Sequence, residues 1–98
     1  MKFLAIEKET PGVTEEQFQP HLKPEAARAW ELYQAGIFRE LYFYEEQSIA
    51  VIMLECADMD EARRALDSLP LVQAGLISFD ILPLGPYPGF ARLFASSG

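Results

Sequence analysis

Residues 36–56 read GIFRELYFYEEQSIAVIMLEC. They predict a β-hairpin, because aromatic and β-branched residues stand on both sides of a short polar break at Glu45–Gln47. The second arm, Ile49–Leu54, is apolar at every position, so both faces of that strand need cover. We therefore expect the rest of the chain to cover this hairpin.

Strand patterns near both ends of the chain flank the hairpin. Lys2–Glu9 alternates, with Phe3, Ala5 and Glu7 on one face. Leu76–Leu82 predicts the last strand, which Pro83 either ends or marks as an edge strand. In the first arm of the hairpin, the same alternation places Ile37, Arg39, Leu41 and Phe43 on one face, and Phe38, Glu40, Tyr42 and Tyr44 on the other.

Two helices are predicted between these strands. Thr14–Gln17 fits a capping box, Pro20 interrupts the helix it opens, and a main helix runs from Pro24 to the C-terminal cap Gly36. Its predicted packing stripe is Leu22, Ala26, Ala29, Trp30 and Tyr33. A second helix begins after the N-cap Asp58, buries Met59, Ala62, Leu66 and Leu69, and stops at Pro70.

The element order is therefore βαββαβ, which predicts a ferredoxin-like α+β plait with a four-stranded antiparallel sheet. Residues 1–98 form one domain. Because both helices lie on one face, the other face must meet something apolar. The simplest candidate is a second copy, as in a dimeric α+β barrel, so we expect a homodimer or a larger homo-oligomer.

Residues 83–98 form a C-terminal arm in which proline and glycine alternate with aromatic residues. Proline and glycine prevent a long helix, yet the aromatic side chains need burial. Two interpretations remain open: the arm folds back over its own sheet, or it packs on a partner subunit or closes a pocket.

The composition excludes several classes of partner. The net charge is −7, and the eight Lys and Arg residues form no basic run, which argues against binding to nucleic acid or to a membrane surface. Cys56 is the single cysteine and is expected to be a buried, unreactive thiol. No apolar run is long enough for a signal peptide or a membrane span, so we expect a cytoplasmic protein.

Few residues suggest chemistry. His21, the only histidine, is a candidate general acid or base, and Asp80 on the last strand is a second candidate base. Alternatively, His21 is an ordinary exposed polar residue, and Asp80 is a solvated carboxylate on an edge strand. Tyr42 and Tyr44 suggest either a small organic-ligand pocket or an interface hydrogen-bond network, with Trp30 as a further ligand contact. No metal-ligand spacing, phosphate-binding loop or nucleophile motif is present in the sequence.

The second half of the chain resembles the muconolactone delta-isomerase family. Leu69-Pro70-Leu71 closes the second helix, and Phe79-Asp80-Ile81-Leu82-Pro83-Leu84 ends the last strand. The family shows the same Leu-Pro-Leu and the same apolar–acid–apolar–x–Pro–Leu order, while the first half matches by element order. The chain departs from the family at Ile6, where true isomerases carry a basic residue, and in a longer segment between Leu71 and Phe79.

The resemblance implies an oligomeric protein that needs no cofactor and shifts a proton within a small unsaturated lactone. For a catalytic protein we expect His21 or Asp80 to carry the proton and Arg39 or Lys23 to stabilise the developing oxyanion. Two other functions remain open: a non-catalytic homo-oligomeric ligand-binding or assembly module, and a cofactor-free monooxygenase of the same fold.

Overall fold

The computed structural model describes residues 1–95 and contains one antiparallel sheet with strand order β2-β3-β1-β4. The strands are β1 (Lys2–Glu9), β2 (Phe38–Tyr44), β3 (Ile49–Glu55) and β4 (Ile77–Leu84). The helices are α1 (Glu15–Phe18), α2 (Leu22–Gln34), α3 (Met59–Asp67) and α4 (Pro70–Gln73), with 3-10 turns at Gln19–His21 and Gly89–Leu93. The predicted ferredoxin-like α+β fold is confirmed.

The core lies between the sheet and α3. On β1, Phe3 and Ala5 are fully buried, and they stand opposite Leu54 and Ile52 of β3. The predicted stripe of α3 packs against them, with Leu66 almost completely buried. Helix α3 begins as expected at Asp58, whose carboxylate accepts a hydrogen bond from the Glu61 N–H at 2.8 Å.

A β-bulge corrects the predicted faces of β2. Phe38 stands opposite Leu54, whereas Glu40 stands opposite Met53, so Arg39 is the extra residue. A bulge shifts the alternation by one position. Phe38 therefore lies on the helix-covered face and is fully buried, instead of sharing a face with Glu40.

The packing stripe predicted for α2 is also wrong. Among the described residues of this helix only Leu32 is buried, while Leu22, Trp30 and Tyr33 are 45%, 58% and 47% exposed. The helix is instead oriented by polar contacts: Arg28 Nε donates to Ser68 Oγ at 2.9 Å, and Glu25 bonds to the start of α4. Of the predicted stripe, Ala29 alone packs against the core.

The second half of the chain contains two smaller differences. Residues 71–75, expected as a plain connection, include the short helix α4, which Pro70 opens. Strand β4 continues through Pro83 to Leu84. The sheet tolerates this proline because β4 is an edge strand, where one side of the backbone needs no ladder partner.

The sheet surface opposite the helices, here called the open sheet face, has no cover within residues 1–95. Its central positions are half-buried Leu4, Ile6, Val51 and Met53, and Tyr42 on β2 is 63% exposed. Helices thus cover one face only, as the sequence predicts. Pairing of this face with a second copy stays a prediction.

The described part of the arm projects from the body. Tyr87, Phe90, Leu93 and Phe94 are between 67% and 85% exposed. The molecule measures 62 × 28 × 20 Å, and its radius of gyration is 16.6 Å, against about 13 Å for a compact chain of this length. The final residues of the predicted arm, 96–98, lie outside the described residues. Within residues 1–95, no helix combines the length and the apolar character needed to cross a bilayer.

Candidate functional site

A cleft of about 330 Å³ lies on the helix side of the sheet, where β1 and the β2–β3 hairpin meet the entry to α2. This volume is at the lower end of the range for small-molecule sites. Its apolar lining is Val13, Phe18, Leu22, Phe43 and Leu71, and its polar lining is Glu7, Glu9, Thr14, Glu15, Gln19 and Ser48.

Hydrogen bonds fix the segment between β1 and α2, part of which lines this cleft. The Thr14 N–H donates to Gln17 Oε1 at 2.8 Å, which is one half of the predicted capping box. The Thr10 hydroxyl donates to the Gly75 carbonyl at 2.6 Å, and the Thr10 N–H donates to the Leu76 carbonyl at 2.9 Å. The loop between β1 and α1 is thereby tied to the start of β4, and Val13 and Phe18 pack beside Leu71.

Glu7 places a carboxylate in the cleft from the helix-covered face of β1. Its Oε1 accepts a hydrogen bond from the Ala50 N–H at 3.0 Å. Partial burial raises the pKa of Glu7, the Ala50 hydrogen bond lowers it, and repulsion from Glu9 raises it further. Glu7 therefore favours its protonated form more than an exposed glutamate does.

Glu25 is a second half-buried carboxylate close to Glu7. Its Oε1 accepts a hydrogen bond from the Leu71 N–H at 2.9 Å. Burial raises its pKa, the Leu71 bond lowers it, the charge of Glu7 raises it, and His21 lowers it. The pKa of Glu25 thus depends on two neighbouring groups, Glu7 and His21, at the entry to α2.

The hairpin turn contributes a backbone feature to the cleft. Ser48 has φ = 55° and is the one non-glycine residue with positive φ in the described part of the chain. A side chain in this left-handed region is disfavoured. This conformation brings the chain back into β3 and places Ser48 at the cleft opposite Glu7 and Glu9.

The structure places three predicted site residues on the helix side. His21 is half-buried in the turn before α2, and its neighbours Gln19 and Leu22 line the cleft. Lys23 is exposed on the first turn of α2. Trp30 lies farther along the helix, stacked on Tyr33 with ring centroids 5.6 Å apart, in a separate groove that Leu41 completes.

The other predicted residues lie on or beside the open sheet face. Asp80 forms an ion pair with Lys8 at 2.9 Å, and both side chains are 57% exposed. The Tyr42 hydroxyl donates to Glu40, and the Tyr44 hydroxyl donates to Glu46, each at 2.8 Å. These hydrogen bonds raise the pKa of both tyrosines.

Arg39 is exposed at the bulge and lines a polar depression beside the open sheet face. Within one chain, the predicted residues are thus divided between the two sides of the sheet, and they do not converge on one site. Four of the predicted residues do share one side of the sheet: the open sheet face carries Asp80, Tyr42 and Tyr44, with Arg39 at its border.

Sequence reasoning did not single out Glu7 as a site residue. The alternation of β1 did place it on the same face as buried Phe3 and Ala5, and a carboxylate at such a position is an available signal. What the sequence lacked was the pairing partner: the Ala50 N–H meets Glu7 through the register of β1 with β3.

Metal-ligating side chains do not converge in the described residues, where no group of three or more His, Cys, Asp or Glu could hold an ion.

Comparison with known proteins identifies the family and the fold. The family model for muconolactone delta-isomerase matches residues 1–89. No curated protein matches the chain. A solved structure with a similar fold is 5-chloro-2-hydroxyhydroquinone dehydrochlorinase from Burkholderia phenoliruptrix, in complex with 2,5-dihydroxybenzoquinone. The TM-score is 0.66 at 17% sequence identity, and the match covers 91% of this chain and 98% of the other.

Proposed function

Because the chain belongs to the muconolactone delta-isomerase family, we propose that it is a cofactor-free isomerase that shifts a proton within a small unsaturated lactone or carbonyl compound. The observation that carries this proposal is the cleft between the sheet and the entry to α2. It combines apolar walls with acid–base side chains in a volume of about 330 Å³.

The cleft suits the removal of a proton from carbon. Phe18, Leu22 and Phe43 give it apolar contact surface for a planar, partly unsaturated ring. Glu7 lines it, and His21 lies between the lining residues Gln19 and Leu22, so a carboxylate and an imidazole are both near the cleft. In this arrangement His21 would carry the proton, and Lys23, on the first turn of α2, would stabilise a developing oxyanion.

A second location for the same chemistry is the open sheet face between two copies. There Asp80 would carry the proton, Arg39 would stabilise the oxyanion, and Tyr42 and Tyr44 would contact the substrate. This location requires a dimer, because one copy leaves the face open to solvent. The cleft is favoured because it is formed within one chain.

The experiment that tests the proposal follows proton exchange. The full-length protein is incubated in D₂O with a panel of unsaturated γ-lactones and cyclic enones, and deuterium incorporation next to the carbonyl is measured by NMR. The panel includes 2,5-dihydroxybenzoquinone, the ring compound bound by the dehydrochlorinase of similar fold. Catalysed exchange with any member supports an isomerase, and exchange at the uncatalysed rate with every member contradicts it.

Variants then decide between the two locations. His21→Gln is compared with Asp80→Asn, and Glu16→Gln, an exposed position of α1 outside the cleft lining, serves as control. Slowing by His21→Gln alone supports the cleft. Slowing by Asp80→Asn alone supports a site on the open sheet face.

A non-catalytic homo-oligomeric module is the second candidate function. It is favoured by the large exposed apolar area, namely the open sheet face and the aromatic arm, on a chain of 98 residues. Light scattering of the full chain and of a version ending at Gly85 tests this assembly. A dimer or higher that dissociates without the arm makes the arm an assembly element, and a monomer in both cases contradicts the homo-oligomer.

A further inference from the structure

The turn between β2 and β3 ends in a residue whose backbone is strained. Residues 45–48 form this turn, and Ser48, the last of them, has φ = 55° immediately before β3 begins. Glycine adopts this left-handed conformation without a steric cost, whereas a serine pays one. Non-glycine residues held in this region cluster at functional sites. The strain at Ser48 therefore indicates that its side chain has a role that glycine could not fill.

Ser48 lines the cleft at the entry to α2 together with a second residue of the same hairpin. This residue is Phe43, which stands opposite Ala50 on β3 and is 61% exposed. The hairpin thus contributes an aromatic ring and a hydroxyl to one cleft. Such a pair of groups suits a planar ring compound that packs its face on Phe43 and directs a polar substituent to Ser48.

The remaining polar lining of the cleft offers few donors to such a substituent. Three of the polar lining residues are glutamates, namely Glu7, Glu9 and Glu15. Their negative charge repels the partial negative charge of a carbonyl oxygen. The hydroxyl of Thr14 donates to Gln17 Oε1 at 3.5 Å. The neutral donors at exposed positions of the lining are therefore Gln19 and Ser48, and of these two Ser48 carries the strained backbone.

We propose that Ser48 binds the substrate, with its hydroxyl donating a hydrogen bond to the carbonyl oxygen of the unsaturated lactone or enone. This inference rests on the proposed function and extends it, because it directs the carbonyl end of the substrate to the hairpin end of the cleft. Lys23 lies outside the cleft lining and would act on this oxygen through its charge, whereas Ser48 supplies the contact.

No proton is transferred at Ser48. When a proton leaves the carbon next to the carbonyl, negative charge moves to the carbonyl oxygen, and a hydrogen bond to a charged acceptor is stronger than one to a neutral acceptor. When the proton returns at the far carbon, the carbonyl is restored and the hydrogen bond regains its starting strength. We therefore expect Ser48 to act on the rate of the chemical step more than on the binding of the substrate.

The test compares three substitutions of Ser48 in the deuterium-exchange assay. Ser48→Ala and Ser48→Gly remove the hydroxyl, and both should slow exchange at saturating substrate by about 10²-fold, the lower end for loss of one donor to an oxyanion. Ser48→Asn keeps a donor and tolerates the left-handed backbone, so it should retain part of the rate. Gln47→Ala, in the same turn but outside the cleft lining, is the control and should stay within about twofold of the unsubstituted chain.

Stability separates this role from a purely structural one. Ser48→Gly relieves the backbone strain, so a residue that only shapes the turn predicts unchanged exchange in a protein of equal or higher stability. A substrate-binding role predicts a different combination, in which the glycine variant is at least as stable in urea and yet exchanges slowly. Circular dichroism verifies that each variant is folded.

The outcomes distinguish this inference from the function on which it rests. Exchange that persists within about threefold in folded Ser48→Ala and Ser48→Gly overturns the role of Ser48 and leaves the isomerase standing. A protein that exchanges no member of the panel overturns the isomerase. In that case, ¹H–¹⁵N NMR titration of the unsubstituted protein with the panel decides the inference separately. A shift of the Ser48 amide signal supports contact with a carbonyl ligand, and no shift with any compound overturns it.

Discussion

The carboxylate of Glu25 accepts a hydrogen bond from the backbone N–H of Leu71, 2.9 Å away, and thereby joins α2 to the first turn of α4. The first four backbone N–H groups of a helix have no acceptor within that helix. Because Pro70 has no N–H, Leu71 is the first residue of α4 that can donate a backbone hydrogen bond. Glu25 is thus half-buried on α2, whereas Trp30 and Tyr33 of the same helix are 58% and 47% exposed.

Replacement of Glu25 by alanine should destabilise the fold. The Leu71 N–H would lose its partner in a half-buried place, which corresponds to about 1–2 kcal/mol of unfolding free energy. Urea denaturation measures the change. Glu25→Gln is the matched control, because its amide oxygen can still accept the bond and should retain most of the stability. Equal losses in both variants would show that the hydrogen bond is not the cause.

The raised pKa of Glu7 predicts a specific dependence of stability on pH. A carboxyl whose pKa is higher in the folded than in the unfolded chain binds its proton more tightly when folded. The associated stability is present below the unfolded value, about 4.3, and is lost as pH rises through the folded value. Glu7→Gln removes this dependence. The unfolding free energy of the variant relative to the unsubstituted chain should therefore rise as the pH increases above about 4.

Urea denaturation at several pH values measures this difference. Glu16→Gln, whose side chain is exposed on α1, should show a difference that stays flat over the same range. A difference that falls with pH for Glu7→Gln would mean that its folded pKa is lowered and not raised.

The elements that rest on local pattern could be predicted from the sequence. The hairpin, the alternation that places Phe3 and Ala5 on one face of β1, and the stripe of α3 all follow from side-chain periodicity, and the structure confirms them. The faces of β2 could not be predicted, because the bulge at Arg39 is a property of the pairing with β3 and not of β2 alone.

The orientation of α2 and the cleft depended on tertiary contacts. The apolar pattern predicted Trp30 on the packing side of α2, whereas in the structure Glu25 bonds to Leu71, Arg28 bonds to Ser68 and Trp30 is 58% exposed. The partners of these side chains lie 40 and 46 residues away, and that of Glu7 lies 43 residues away. The sequence therefore indicated candidate site residues by their chemical type alone. The position of the Glu7 carboxylate beside the Ala50 N–H could be known only from the pairing register of the sheet.

Replacement of Ser48 by glycine should stabilise the hairpin. Ser48 has φ = 55°, a conformation that disfavours side chains and suits glycine. We expect a gain of up to about 1 kcal/mol in unfolding free energy from relief of this strain. Ser48→Ala, which keeps a Cβ atom in the same conformation, is the control and should bring no gain; an equal gain in both would assign the effect to the hydroxyl.

Cys56 should be unreactive in the folded protein. The residue is 4% exposed, and burial, followed by repulsion from Glu61, raises the pKa of its thiol. Both effects lower the concentration of accessible thiolate, which is the reactive form. Labelling by a chromogenic disulfide should therefore be slow in buffer and complete in guanidinium chloride. Rapid stoichiometric labelling under native conditions would contradict the burial of this side chain.

Replacement of Val51 by lysine should dissociate a homo-oligomer that forms through the open sheet face. Val51 lies at the centre of that face, opposite Ile6 of β1 and Tyr42 of β2, and a lysine there would bring two like charges together across a two-fold interface. Light scattering should show a lower molar mass, with circular dichroism confirming the fold. The matched control is Leu41→Lys, next to Tyr42 on the opposite side of the same sheet and 41% exposed. If Leu41→Lys dissociates the assembly and Val51→Lys does not, the interface lies on the groove beside Trp30 instead, and the barrel arrangement is wrong.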